Sequence, residues 1–242
     1  MTQLLEVDGL TRHFGGVIAV SELTFAVAEG EMVGVIGPNG AGKSTLFGLV
    51  SGGIQPTSGR LRFAGADVAG WSADRAARAG IGRTYQIVRA FRSMTTLENV
   101  MVGAYLRQRT LAGARSVAME VLERVGLADQ AERPAASLTV ASKKRLEMAR
   151  AIATQPRLLL LDEVMSGLTP VETHAAVELV RSLNREGLAV LLVEHVMEVV
   201  MPLSQRVVVL DHGVKIAEGK PAVVAKDPAV IEAYLGSHGS TA

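Results

Sequence analysis

Gly37-Pro38-Asn39-Gly40-Ala41-Gly42-Lys43-Ser44, followed by Thr45, is the stretch on which the reading of the chain turns. Two glycines enclose four residues, and a lysine and a hydroxyl follow at once, which is the spacing of a phosphate loop. Glycines let the backbone wind tightly so that successive amides point inward, and a helix starting at the loop adds the positive end of its dipole. Such a cradle takes phosphate oxygens, with Lys43 reaching the outer phosphates and Ser44 able to ligate Mg²⁺. The flanks supply the context the motif requires: residues 31–36 read as a buried strand, and residues 43–50 as a short helix stopped by Ser51-Gly52-Gly53.

Upstream, residues 4–33 alternate short apolar runs with turn signals at Gly9, Gly15-Gly16 and Glu29-Gly30, the pattern of antiparallel strands feeding the buried one. Downstream, residues 72–150 become rich in Ala, Arg, Glu and Leu with helical spacing, above all over 112–125 and 143–153. From residue 157 strand and helix alternate again: a strand over 158–161, a helix over 171–186, a strand over 188–193 and a short helix after His195. That order implies a parallel sheet. Thr169 and Glu172 form a capping box around Pro170 at the head of the longer helix, and Gly187 ends it. The tail reads as a strand over 206–210, a turn at Asp211-His212-Gly213, a strand over 214–217 and helical pieces to Leu235.

Two further stretches carry chemistry. Leu158-Leu159-Leu160-Leu161-Asp162-Glu163 is an apolar strand ending in adjacent carboxylates. Strand side chains alternate, so the two acids can take different jobs: Asp162 holds Mg²⁺ through its water shell, and Glu163 orients and deprotonates an attacking water. His195 follows a second apolar strand, again at a carboxyl end, where ligands gather in open α/β sheets. Gln86 and Phe14 carry little when read alone.

Composition narrows the class. With 25 Lys+Arg against 24 Asp+Glu the net charge is +1, no broad footprint for a nucleic-acid backbone. There are no cysteines, hence no disulfide and no thiolate chemistry. The acidic start has no signal-peptide pattern, and the apolar runs fall short of the roughly 20 residues that cross a bilayer. A cytoplasmic location is expected, with any membrane association through another protein.

Taken in order, these pieces resemble the nucleotide-binding subunits of ABC transporters over nearly the whole chain. The resemblance implies a RecA-like P-loop core of α/β class with an N-terminal antiparallel β-subdomain, formed by residues 1–87 and 156–242, and an inserted helical lobe over 88–155. It implies ATP and Mg²⁺ as cofactors. Phe14 in Arg12-His13-Phe14-Gly15-Gly16 matches the aromatic residue that stacks on adenine. Gln86 matches the glutamine beside Mg²⁺ and the attacking water, and His195 the histidine that senses the terminal phosphate. Residues 80–86, 162–170, 193–198 and the end from Asp211 to Gly236 are similar to the hydrophobic, branched-chain amino acid uptake branch. Systems of that branch commonly pair two different ATP-binding subunits with two membrane subunits and an external binding protein, which implies a place at the cytoplasmic face of the membrane.

The chain departs from the family at its signature. Where relatives carry Leu-Ser-Gly-Gly-Gln, it has Leu138-Thr139-Val140-Ala141-Ser142, keeping a hydroxyl but losing both glycines and the glutamine. In the family this segment contacts the ATP held by the partner subunit. Val140 is β-branched and stiff, and cannot replace a glycine wherever positive φ or close approach is needed. Thr169 stands where many relatives place an aspartate that crosses the subunit interface, and its reading here is helix capping. The run Lys143-Lys144-Arg145 reads as a solvated helix face. Two other functions stay open: an ATP-holding switch subunit, which the altered signature keeps alive although Glu163, Gln86 and His195 argue against it, and a non-transport ABC ATPase, for which a basic surface and a second cassette or a long coiled coil would be expected and are not seen.

Overall fold

The computed structural model describes residues 2–86 and 90–236. Two long strands, β1 (Gln3–Phe14) and β2 (Val17–Ala28), form an antiparallel hairpin whose tip pairs Phe14 with Val17. With β4 (Ser58–Phe63) and β5 (Ala66–Asp67) they make a four-stranded sheet in the order β2-β1-β4-β5.

The second sheet is six-stranded, in the order β10-β9-β3-β8-β7-β6. It runs through β3 (Met32–Ile36), β6 (Ile81–Arg83), β7 (Leu158–Asp162), β8 (Ala189–Val193), β9 (Arg206–Asp211) and β10 (Val214–Gly219). All neighbours are parallel except the β9–β10 pair. Every residue of β3, β7 and β8 is buried. That explains their uninterrupted apolar sequences, since a parallel sheet covered on both faces has no polar side to alternate with. The strand order also decides function: β3, β7 and β8 are central neighbours, so the loops at their carboxyl ends converge although they lie far apart in the chain.

Helix α1 (Lys43–Val50) leaves the loop after β3, and α2 (Ala73–Ala79) leads into β6. Helices α3 (Thr96–Ala104), α4 (Leu111–Arg124) and α5 (Val140–Ile152) pack on one another between β6 and β7. Beyond β7 come α6 (Pro170–Arg185), α7 (Met197–Leu203), α8 (Pro221–Val224) and α9 (Pro228–Gly236). The helical character expected across 72–150 therefore needs one correction, because Ile81–Arg83 is a strand that pairs with β7 and extends the core sheet. Its glycine and its short length gave no period-2 signal.

The capping box at the head of α6 is present. Thr169 Oγ1 accepts from the Glu172 N–H at 3.4 Å, and the Glu172 carboxylate accepts from the Thr169 N–H at 2.9 Å. Helix α3 repeats the device with Thr95 and Glu98.

Candidate functional site

The loop after β3 has the shape its sequence predicts. Gly37 sits at φ 151° and Gly42 at φ 98°, and a Cβ would meet the Leu210 carbonyl oxygen at 2.0 Å and the Ala19 carbonyl oxygen at 2.4 Å respectively. Only glycine fits at both. Lys43, at the first position of α1, is buried and donates to the carbonyls of Gly37 at 2.7 Å and Pro38 at 2.8 Å. Burial pushes its pKa down, against the pull of Glu163 and Asp162.

The carboxyl ends of the neighbouring strands bring the other groups to this loop. Asp162 ends β7 with 4% exposure, and its Oδ2 accepts from Arg83 Nη2 at 3.1 Å. Arg83 also donates to Ser51 Oγ at 2.9 Å, while Asp162 N–H donates to Thr84 Oγ1 at 3.0 Å. Burial raises the Asp162 pKa, and the Arg83 guanidinium counteracts it. Its second oxygen, Oδ1, is buried with no hydrogen-bond partner among the described residues. A buried carboxylate oxygen without a donor suits a cation or the water shell of one. No cluster of three acidic or histidine side chains able to hold a metal exists among the described residues.

Glu163 lies between two hydrogen-bonding partners. Gln86 Nε2 donates to its Oε2 at 2.5 Å, and His195 Nε2 lies 2.5 Å from its Oε1. These groups arrive from the ends of β6, β7 and β8, so strand order alone assembles them. Together with Gly40, Lys43 and Ser44 they border a cleft of about 360 Å³. The backbone of Glu163 has φ 50°, a strained conformation for a residue with a Cβ.

At the other end of the cleft, exposed Val17 and Ile18 line the wall. Phe14 is 45% exposed at the hairpin tip, with the Arg12 guanidinium 4.5 Å from the centre of its ring. Pro38, Asn39, Ala41 and Thr45 belong to the same loop and helix start, and Asn39, Ala41 and Thr45 line the cleft.

Sequence reasoning missed Arg83, Thr84, Val17 and Ile18. It also missed Tyr234 on α9, which reaches the backbone of Gly37 and whose pKa burial pushes up to about 12. None of these belongs to a short motif, and only the three-dimensional arrangement brings them to the loop.

The altered signature lies at the head of α5. Thr139 is the cap and accepts from Ser142 N–H at 3.1 Å, Ser142 is buried, and Val140 is 68% exposed. No residue of this segment has positive φ, so Val140 fits its own backbone without strain. The reading of Lys143-Lys144-Arg145 as a solvated face is corrected at Lys144. Its ammonium turns inward to the carbonyl oxygens of Glu163, at 3.4 Å, and Ser166.

A phosphate cradle on a parallel sheet, with an Asp-Glu pair, a glutamine and a histidine gathered at the carboxyl ends of its central strands, defines a P-loop nucleotide-hydrolysing protein. The sequence pattern of the ABC transporter family matches residues 20–166, and that of the branched-chain amino acid ATP-binding cassette transporter matches residues 214–240. The chain is 41% identical to the high-affinity branched-chain amino acid transport ATP-binding protein BraF of Pseudomonas aeruginosa, over 96% of this chain and 98% of BraF. It is 39% identical to LivG of Escherichia coli K12, a protein of the same description, with the same coverage. The crystal structure of the ADP conformation of MJ1267, an ATP-binding cassette of an ABC transporter, superposes with a TM-score of 0.88 at 28% identity, covering 98% of this chain and all of that one. The chain belongs to the ABC transporter family, as an ATP-binding, ATP-hydrolysing cassette.

Proposed function

We propose that this cassette powers an importer of branched-chain or other hydrophobic amino acids, as one of two unlike ATP-binding subunits beneath a pair of membrane permeases. The observation that carries the reading is the Glu163 carboxylate held between Gln86 and His195, beside the orphaned oxygen of Asp162. The choice of solute follows the full-length likeness to BraF and LivG and the match of the last strand and helices to the branched-chain pattern.

In this reading the amides of residues 37–45 and the Lys43 ammonium hold the phosphates of ATP, and Phe14 with Val17 and Ile18 faces the adenine. Ser44, Gln86 and Asp162 would hold Mg²⁺, which would neutralise charge on the phosphates. Glu163 accepts a proton from the attacking water, Gln86 fixes that water's approach, and His195 meets the terminal phosphate. Residues 88–155 form the helical lobe, and the segment Thr139, Val140, Ala141 and Ser142 faces the partner's nucleotide. No helix among the described residues is long and apolar enough to cross a membrane; in this reading contact with the bilayer runs through the permeases. An external solute-binding protein delivers the solute and is linked to this chain only through them. Nucleic acid has no place in the reading.

The three altered signature positions make the pair asymmetric: this chain's own phosphate loop works with the partner's signature, while Val140, Ala141 and Ser142 complete a weaker site. The test is Mg²⁺-dependent ATP hydrolysis by the purified chain, alone and mixed with its partner cassette. Activity rises on mixing, and Glu163→Gln lowers it by roughly a hundredfold or more. The matching change in the partner lowers it less. Equal losses overturn the asymmetry, and nucleotide binding without hydrolysis in either state favours a switch subunit.

A further inference from the structure

We infer that Lys144 and Glu194 are positioning residues for hydrolysis: from opposite sides they pin the loop of residues 163–167, and with it the backbone from which the Glu163 carboxylate is aimed. The inference rests on the reading of Glu163 as the base.

A glutamate at φ 50° persists only where its surroundings over-determine it. Four backbone contacts do so here. Glu163 N–H donates to the Val193 carbonyl at 2.9 Å, and its own carbonyl accepts from Lys144 Nζ at 3.4 Å. Two residues further on, Met165 N–H donates to Glu194 Oε1 at 2.8 Å, and the Ser166 carbonyl accepts from the same Lys144 ammonium. The loop after β7 is thus held between α5, which carries Lys144, and the end of β8, which carries Glu194.

The residue types fit this task better than simple filling. An ammonium offers several donors from one atom, so a single lysine serves two carbonyls. Glu194 is 1% exposed beside the exposed His195, a costly place for a carboxylate. Its Oε2 has no hydrogen-bond partner among the described residues, so Oε1 on Met165 is the bond the buried group is kept for. The two side chains also attract one another: each moves the other's pKa toward its charged form, although burial is the larger influence and acts against both charges.

The experiment uses the cassette paired with its partner and reads kcat, KM for MgATP and ATP affinity by equilibrium binding. Lys144→Met keeps the aliphatic length and loses the donors. It lowers kcat by roughly tenfold to a hundredfold, the scale at which small misplacement of a catalytic group is felt. KM and ATP affinity stay within about twofold, because no residue of the phosphate loop is touched. Lys144→Arg, which retains donors, recovers most of the loss. Should Lys144→Met not fold, the other side of the loop gives the same reading: Glu194→Gln leaves an acceptor for Met165 N–H and loses less kcat than Glu194→Leu. An unchanged kcat in Lys144→Met, a loss matched by weaker ATP binding, or equal kcat in the two Glu194 variants overturns the inference. Glu163→Gln run alongside separates the two readings. If it leaves hydrolysis intact, the assignment of the base fails; if it abolishes hydrolysis while Lys144→Met does not, only the positioning role fails.

Discussion

Buried acids at the carboxyl ends of β7 and β8 give the residue scale its chemistry, and they also give it a pH dependence. Glu194 has a pKa raised above the ordinary 4.5, first by burial and against the opposing Met165 N–H and Lys144. In the interval between 4.5 and that raised value the folded chain binds a proton that the unfolded chain has released. The stability this group contributes is therefore complete below 4.5 and declines as pH rises through the interval. Glu194→Gln removes the ionisation while leaving an oxygen for Met165 N–H. The expected outcome is a flatter curve of melting temperature against pH across the weakly acidic range, with the variant at least as stable as the parent at pH 7. A variant curve of unchanged slope shows that Glu194 titrates as an ordinary surface acid. Burial raises the Asp162 pKa in the same way, with the Arg83 guanidinium at 3.1 Å as the opposing charge.

At the scale of elements, the heads of the helices are set by local rules that the sequence states openly. Thr169 makes both bonds of a capping box and also donates to Glu172 Oε2 at 2.8 Å. Thr169→Ala should cost about 1 kcal/mol, a fall in melting temperature of roughly 2–4 °C for a chain of this size. Thr169→Asp should keep the parent value, since aspartate caps as well as threonine. Thermal unfolding of the three proteins checks this, and a large loss of hydrolysis in Thr169→Ala without a thermal shift would assign the residue to an interface instead. Caps of this kind, the leucine strand and the glycine loop were legible because each is encoded within a few neighbouring residues. Strand β6 was not, because Ile81–Arg83 offers too few residues to display a period and owes its state to pairing with β7. Lys144 was misread for a related reason: it stands in a run of three basic residues, Lys143 to Arg145, while its inward turn depends on carbonyls contributed by residues 163 and 166. Tyr234 was invisible likewise, since only the fold returns α9 to Gly37.

At the scale of the molecule, the site exists only when the sheet does, because its parts come from residues as far apart as Gly37 and His195 and are gathered by the order of β3, β8, β7 and β6. An unfolded chain has no such cradle, so nucleotide binds the folded state alone and stabilises it by mass action. At a ligand concentration one hundred times Kd the gain is about 2.7 kcal/mol, which corresponds to roughly 5–11 °C in melting temperature for a chain of this length. The stabilisation should follow the outer phosphates rather than the base, because the loop amides and Lys43 outnumber the contacts available at the exposed hairpin tip. MgATP should therefore raise the melting temperature, AMP at the same concentration should leave it nearly unmoved, and Lys43→Met should remove the response to MgATP. Glu163→Gln should keep the full shift, since it changes the carboxylate and leaves the loop of residues 37–45 intact. Differential scanning measurements on these proteins decide the matter: an equal shift with AMP, or a shift that survives Lys43→Met, would place the binding energy away from residues 37–45.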